Sequence, residues 1–282
     1  MIEVPSQFKQ PTFSVYPPGN TINYEEWFYH WYVSNNIKTD REYLPIMWHT
    51  YYMGENFGRS DTKGLQTYLR SLDRKLRYFT ICQFDGAIIQ DISFLDIVVF
   101  NSCGSMDKYK DLPEVNRGYP ISLVCNMGYK PTKQKDVLCS FIGAIDGRHP
   151  IRERIRNIWQ YDKQFYIKPS TTYNEFVDVM SRSWFSLAPR GVGWQSYRIC
   201  ESLYFGSIPI YISDHKWLPW PDELNFEDIG IVLDEKDIPN IKTIIQQKSI
   251  TEIETYLKNG QEAYEQFFTF IGQSKKIIQR LK

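Results

Sequence analysis

Short apolar runs alternate along this chain with stretches in which apolar positions recur every third or fourth residue. The runs at 44–49, 78–84, 97–101, 121–125 and 137–142, and again at 184–188 and 208–212, are of strand length and largely apolar, which predicts strands buried on both faces. Between them, helical periodicity covers 24–32, 62–76, 152–159, 173–181, a segment from Gln195 or Ser196 to Gly206, and 251–281. Strands alternating with helices predict an α/β fold with parallel sheets. The helix at 24–32 carries aromatic residues nearly all round, so it is either buried or an aromatic wall for an acceptor. The first 23 residues hold four prolines and little periodicity, which predicts an extended arm lying on the fold. The polar stretch 130–136 marks a boundary between a domain at 1–136 and one at 137–282.

The chemistry is concentrated in 183–214, SWFSLAPRGVGWQSYRICESLYFGSIPIYISD, which reads as strand, glycine-bearing turn, helix and second strand. Gly191 and Gly193 let the turn bend tightly and approach a ligand closely. A helix starting just beyond them offers unpaired N–H groups and the positive end of its dipole, so an anion is the expected guest. Arg198 and Glu201, three apart, share a face distinct from that of Ile199 and Leu203, which leaves them at the ligand edge with Arg190 in the turn before them. Arginine grips a phosphate by paired hydrogen bonds, and a carboxylate can accept both hydroxyls of a ribose, so the set describes a nucleoside diphosphate. A plain surface ion pair is the alternative account of Arg198 and Glu201 taken alone. Ser213 and Asp214 end the second strand, where ligands bind in open α/β sheets. Gly191-Val192-Gly193 has no third glycine at the dinucleotide spacing, which sets NAD aside.

Over 183–233 the chain resembles the C-terminal motif of the exostosin-type glycosyltransferases, family 47. The likeness rests on the Ala188-Pro189-Arg190-Gly191 turn, Ser196-Tyr197-Arg198 with Glu201, the strand at 206–212, and Ser213-Asp214. Upstream, Phe141-Ile142-Gly143 and His149-Pro150-Ile151-Arg152-Glu153 are similar to the family's strand-to-helix entry into this domain, which adds Arg152 to the donor side. In the N-terminal half the similarity is confined to Gln83-Phe84-Asp85-Gly86. The resemblance implies a GT-B fold: two Rossmann-like domains facing across a cleft, the first binding the acceptor, the second the nucleotide sugar, with the last helix packing back on the first. It also implies an inverting transfer from a UDP-sugar to a glycan. A short form is similar to soluble bacterial and large-virus members, xylosyltransferases among them, which makes xylose the favoured sugar.

Composition narrows the picture further. Lys plus Arg equals Asp plus Glu at 33 each, so there is no electrostatic footprint for nucleic acid. Eight Trp, twenty Tyr and seventeen Phe supply rings that pack cores and also face sugar C–H bonds. Cys82, Cys103, Cys125, Cys139 and Cys200 show no C-x-x-C spacing and read as reduced core residues. There is no charged-apolar leader and no apolar run of the roughly 18 residues a membrane span needs, so the expectation is a soluble cytoplasmic protein. The sequence has no Asp-x-Asp, and His30, His49, His149 and His215 lack ligand spacing, so neither metal nor cofactor is expected. Charge on a leaving diphosphate is then left to Arg152, Arg190, Arg198 and the helix N-terminus.

An inverting transfer needs a general base on the acceptor side. Asp85 is the first candidate, placed between the 78–84 strand and Gly86, and His49, following the 44–48 run, is the second. An Asx turn would account for Asp85 without chemistry. Two other classes stay open: a GT-B-like nucleotide-sugar epimerase or phosphorylase, and a non-catalytic glycan- or nucleotide-binding relative. Nucleotide release measured with and without an acceptor separates them.

Overall fold

A computed structural model describes residues 1–10, 22–128, 130–147 and 149–282. Its strands are β1 (Glu42–Tyr43), β2 (Arg77–Cys82), β3 (Asp96–Asn101), β4 (Tyr119–Pro120), β5 (Val137–Ile142), β6 (Phe165–Lys168), β7 (Ser183–Pro189), β8 (Ile208–Ile212) and β9 (Ile231–Leu233). Its α-helices are α1 (Tyr24–Ser34), α2 (Trp48–Gly54), α3 (Leu65–Arg70), α4 (Glu114–Arg117), α5 (Pro150–Trp159), α6 (Tyr173–Arg182), α7 (Tyr197–Phe205), α8 (Ile241–Gln246), α9 (Ile250–Ala263) and α10 (Phe270–Arg280). The chain divides into two units, Met1–Asn126 with Thr269–Lys282, and Met127–Phe268. Each is built on its own parallel sheet with helical crossovers, so the expected α/β class of two Rossmann-like units holds.

In the first unit the sheet runs in the order β1-β2-β3-β4. Four local expectations give way, the two strands to partners distant in sequence and the two helices to nearer contacts. The strand expected at 44–49 stops early: Leu44 N–H still reaches the Phe79 carbonyl at 2.9 Å, but Pro45 has no N–H to continue the ladder. The Thr80 hydroxyl donates to the Leu44 carbonyl and accepts the Trp48 indole N–H, both at 2.8 Å, and Trp48 opens α2. His49 therefore sits in the first turn of a helix, not at a strand end. The strand expected at 121–125 does not form: β4 ends at Pro120, Ile121 N–H still reaches the Asn101 carbonyl at 3.0 Å, and the next N–H in line (Ser122) donates to the Gln273 side chain of α10 at 2.7 Å. The helix expected over 62–76 is only α3, since the Glu55 carboxylate holds Thr62 outside it at 2.6 Å and Gly64 enters it with φ 73°. The helix expected over 251–281 breaks at Thr269, which is extended and caps α10 by accepting the Gly272 N–H at 3.0 Å.

Of the expected N-terminal arm, Ile2 bonds to the Tyr43 carbonyl, Met47 bonds to the Phe8 carbonyl, and Val4 and Phe8 enter the core; residues 11–21 lie outside the described residues. The aromatic helix α1 buries Tyr24, Phe28 and Tyr32 and leaves Trp27 and Trp31 half-buried. All five cysteines are buried thiols.

The second unit has the strand order β6-β5-β7-β8-β9, every neighbour parallel. The strands β6 and β9, which the apolar pattern does not announce, flank it. From β5 the chain first places a strand on one side, then crosses back to build β7, β8 and β9 on the other. The carboxyl ends of β5 and β7 thus flank the point where the winding reverses, the place where open α/β sheets bind ligands.

Candidate functional site

Apolar residues carry β7 through the core to Pro189, and the ladder continues one step further with Arg190 N–H on the Ile212 carbonyl at 2.9 Å. The loop to α7 then closes on itself, Gly191 N–H donating to the Gln195 carbonyl at 3.1 Å. Neither Gly191 nor Gly193 adopts a positive φ, so the turn does not use their left-handed freedom. Gly191 lies beside Arg152, and a Cβ there would meet the Arg152 guanidinium at 3.6 Å, an ordinary van der Waals contact. Arg152 comes from the first turn of α5, over the Phe141 ring at 5.7 Å, with one nitrogen on the Ala144 carbonyl at 3.2 Å. Gly143, just past β5, is approached the same way by Arg198, whose guanidinium a Cβ would meet at 3.7 Å. Three arginines from three elements thereby gather around the ends of β5 and β7.

The helix α7 begins as expected, with Ser196 as N-cap accepting the Arg198 N–H at 3.3 Å, and ends at Gly206 with φ 68°. Its polar pair is placed differently from the expectation. Arg198 is 7% exposed and Glu201 fully buried, so the two are not displayed at a ligand edge. They pair with each other at 2.6 Å, Arg198 also donates to the Ile142 carbonyl, and its guanidinium lies 4.6 Å from the Phe176 ring centroid. The reason is β5: its last carbonyl needs a donor, and Arg198 supplies it from the neighbouring helix. A buried charge then requires a counter-charge, which Glu201 provides one turn on.

At the end of β8, Asp214 forms an ion pair with Arg190, while the Ser213 hydroxyl accepts the His215 N–H at 3.1 Å in a local turn. Burial pushes the Asp214 carboxyl up, but the hydrogen bond and charge of Arg190 outweigh it and hold the group below the usual carboxylate range. Sequence reasoning missed the aromatic group beside this pair. Trp194 stacks on His215 with centroids 4.8 Å apart and meets Trp217 at 6.0 Å. The Tyr211 hydroxyl ties these loops together, bonding to the Trp194 and His215 carbonyls and accepting the Trp217 N–H. The signal was present in a tryptophan inside the glycine turn and a second one three residues past Asp214.

In the first unit, Asp85 lies in the turn after β2, as expected, between Phe84 and Gly86. The turn is tight: a Cβ on Gly86 would come within 2.7 Å of Phe84 and 2.8 Å of Tyr109, and Ala87 follows at φ 61°, a costly conformation for a residue other than glycine. His49 and Asp85, two alternatives in the sequence, are electrostatic neighbours here. Burial lowers the basicity of His49, and the Asp85 charge partly restores it. Behind them lies a carboxylate that the sequence did not single out. Glu25 is buried and accepts the Gln83 N–H at 2.5 Å and the His49 N–H at 3.0 Å. Burial pushes it up to about 8 against the effect of both hydrogen bonds.

The sequence pattern of the Exostosin GT47 domain matches residues 99–248, which include the β5, β7 and β8 ends and α7. A probable glycosyltransferase of Arabidopsis thaliana is 31% identical over 139 residues, 48% of this chain and 26% of that protein. A probable β-1,4-xylosyltransferase of the same plant is 42% identical over 77 residues, 27% and 18% of the two chains. A probable glucuronosyltransferase of Oryza sativa subsp. japonica is 38% identical over 85 residues, 30% and 19% of the two chains. The matched stretches span about a quarter or less of these relatives' own lengths. Among solved structures, that of a GtfA/B complex aligns with 94% of this chain and 61% of its own at a TM-score of 0.46 and 10% identity. Among the described residues, no helix is long and apolar enough to cross a membrane.

Proposed function

The chain belongs to the exostosin GT47 family, whose domain covers more than half of it, and from that membership we propose that it is an inverting glycosyltransferase. It moves a sugar, xylose being the favoured one, from a UDP-sugar to a glycan hydroxyl without a metal. The observation that carries this reading is the gathering of Arg152, Arg190 and Arg198 at the reversal point of the second sheet, inside the stretch that matches the family. The names of the xylosyl- and glucuronosyltransferase relatives support a pentose or uronate donor.

Arg190 and Arg152 hold the diphosphate and stabilise the negative charge that grows on it as the bond to the anomeric carbon breaks. Gly191 and Gly193 keep the turn low enough for that approach, Ser196 fixes the start of α7, and Asp214, beside Ser213, holds Arg190 until the diphosphate displaces it. Arg198, held by Glu201, braces the end of β5 instead of meeting the ribose directly. On the acceptor side Asp85, with His49 beside it, takes the hydroxyl proton as the oxygen attacks the anomeric carbon, and UDP departs from the opposite face.

The test is a calorimetric titration with UDP and with GDP in EDTA, repeated on Arg190→Ala, followed by UDP-sugars with and without glycan acceptors. The expected result is UDP binding in EDTA that Arg190→Ala weakens, and UDP release that depends on an acceptor. Binding that returns only with added magnesium or manganese would overturn metal independence, and turnover of the donor alone would favour an epimerase or hydrolase.

A further inference from the structure

A buried acid is costly unless something compensates it, and among the described residues Glu25 has no cationic partner. Its two oxygens are spent on backbone amides. Gln83 N–H donates to Oε1 at 2.5 Å, and His49 N–H donates to Oε2 at 3.0 Å. The contact with Gln83 is reciprocal, because Tyr24 N–H donates to the Gln83 side-chain oxygen at 2.9 Å. One carboxyl group thus ties the start of α1, the exit of β2 two residues before Asp85, and the first turn of α2 where His49 sits. An apolar residue there would leave two buried N–H groups unpaired.

We propose that Glu25 is a positioning residue for the acceptor-side base, holding the Asp85 turn and His49 against each other through these two amides. The inference rests on the reading of the chain as a transferase whose base comes from the first unit. Glu25 does not touch substrate; it fixes the spacing of the two groups that do. The titratable groups facing it are Tyr24 on its own helix, Tyr43 on β1, Cys82 on β2 and His49 on α2. The first three are held well above their ordinary values chiefly by burial, while burial lowers His49 and the Asp85 charge opposes that shift.

The test is a coupling measurement on the full chain. The titration midpoint of the His49 imidazole is followed by NMR, with His49→Asn identifying its signal among the four histidines. In the wild-type background Asp85→Asn lowers that midpoint, because a neighbouring negative charge is lost. In a Glu25→Gln background the same substitution is expected to move it by less than half as much, while the UDP affinity stays within twofold. Transfer by Glu25→Gln is expected to fall at least tenfold in kcat, with the acid limb of the pH profile displaced and KM for the nucleotide sugar unchanged. If Glu25→Gln does not fold, Glu25→Asp, which keeps the carboxyl group and loses the reach, carries the same test. An equal Asp85→Asn shift in both backgrounds, in a folded variant, overturns the proposal. A wild-type protein that transfers no sugar overturns the transferase reading instead, and the NMR arm still decides the positioning role.

Discussion

Arg190 reaches from the end of β7 to Asp214 at the end of β8 and closes a two-point ion pair, Nη2 on Oδ2 at 3.0 Å and Nε on Oδ1. The arginine is mostly buried and the aspartate largely exposed, so Asp214 is the partner that can give way to an incoming phosphate. Arg190→Ala is expected to weaken UDP binding by about 1.5 to 3 kcal/mol, the worth of charge-assisted hydrogen bonds. Asp214→Asn removes the competitor and should tighten UDP by about 0.2 to 1 kcal/mol, the range of a partly exposed pair. Calorimetry on both variants decides; weaker binding by Asp214→Asn would mean that the aspartate orients the arginine more than it competes.

Glu201 stands in another regime because it and Arg198 are both out of solvent. Glu201→Ala strands a buried guanidinium, and about 3 to 5 kcal/mol of stability should be lost. Glu201→Gln, which keeps a hydrogen-bond acceptor, should lose less. Thermal unfolding gives the answer, and a Glu201→Ala protein as stable as the wild type would show that the pair opens to water readily.

Asp85→Asn should leave UDP affinity unchanged and reduce transfer to background, since an amide cannot take the acceptor proton. Retained activity would pass the role to His49, whose own replacement then becomes the deciding assay.

Stability should fall as pH rises through the neutral range, and Glu25 is the cause. Its folded value, about 8, exceeds its ordinary 4.5, so between these limits the folded state binds more protons than the unfolded state. The contribution is fully present below the lower value and is lost by the upper one, on the order of a few kcal/mol. Urea unfolding at pH 5 and pH 8 should show this slope in the wild type and a flatter one in Glu25→Gln. Parallel slopes would place the proton elsewhere.

What could be read from the sequence was what neighbours along the chain decide. The strand–turn–helix–strand of β7, α7 and β8, with Ser196 and Gly206 as its caps, depends on residues within a few positions of each other and emerged as expected. The strand failures share one cause. Residue 122 takes a partner 151 positions away, Leu44 one 36 away, and those partners override the local apolar run. Arg198 and Glu201 were read from helical spacing alone, which gives the face they share but not the β5 carbonyl that draws them inward. Glu25 stands in the first turn of α1, where the helix dipole alone would justify an acid. Nothing nearby in sequence announces the two amides it meets.

The break at Thr269 bears on how the protein is made. The first unit draws its last helix from the final residues of the chain, with Gln273 capping the end of β4 and Ser274 bonded to Tyr24 at 2.9 Å. The second unit is a single uninterrupted segment. During synthesis from the N-terminus the segment 127–268 can therefore fold before the unit that precedes it is complete, and residues 1–126 must wait for 269–282. Cutting the protein after Phe268 should accordingly damage the half that carries Asp85 and His49 while sparing the half that carries Arg190.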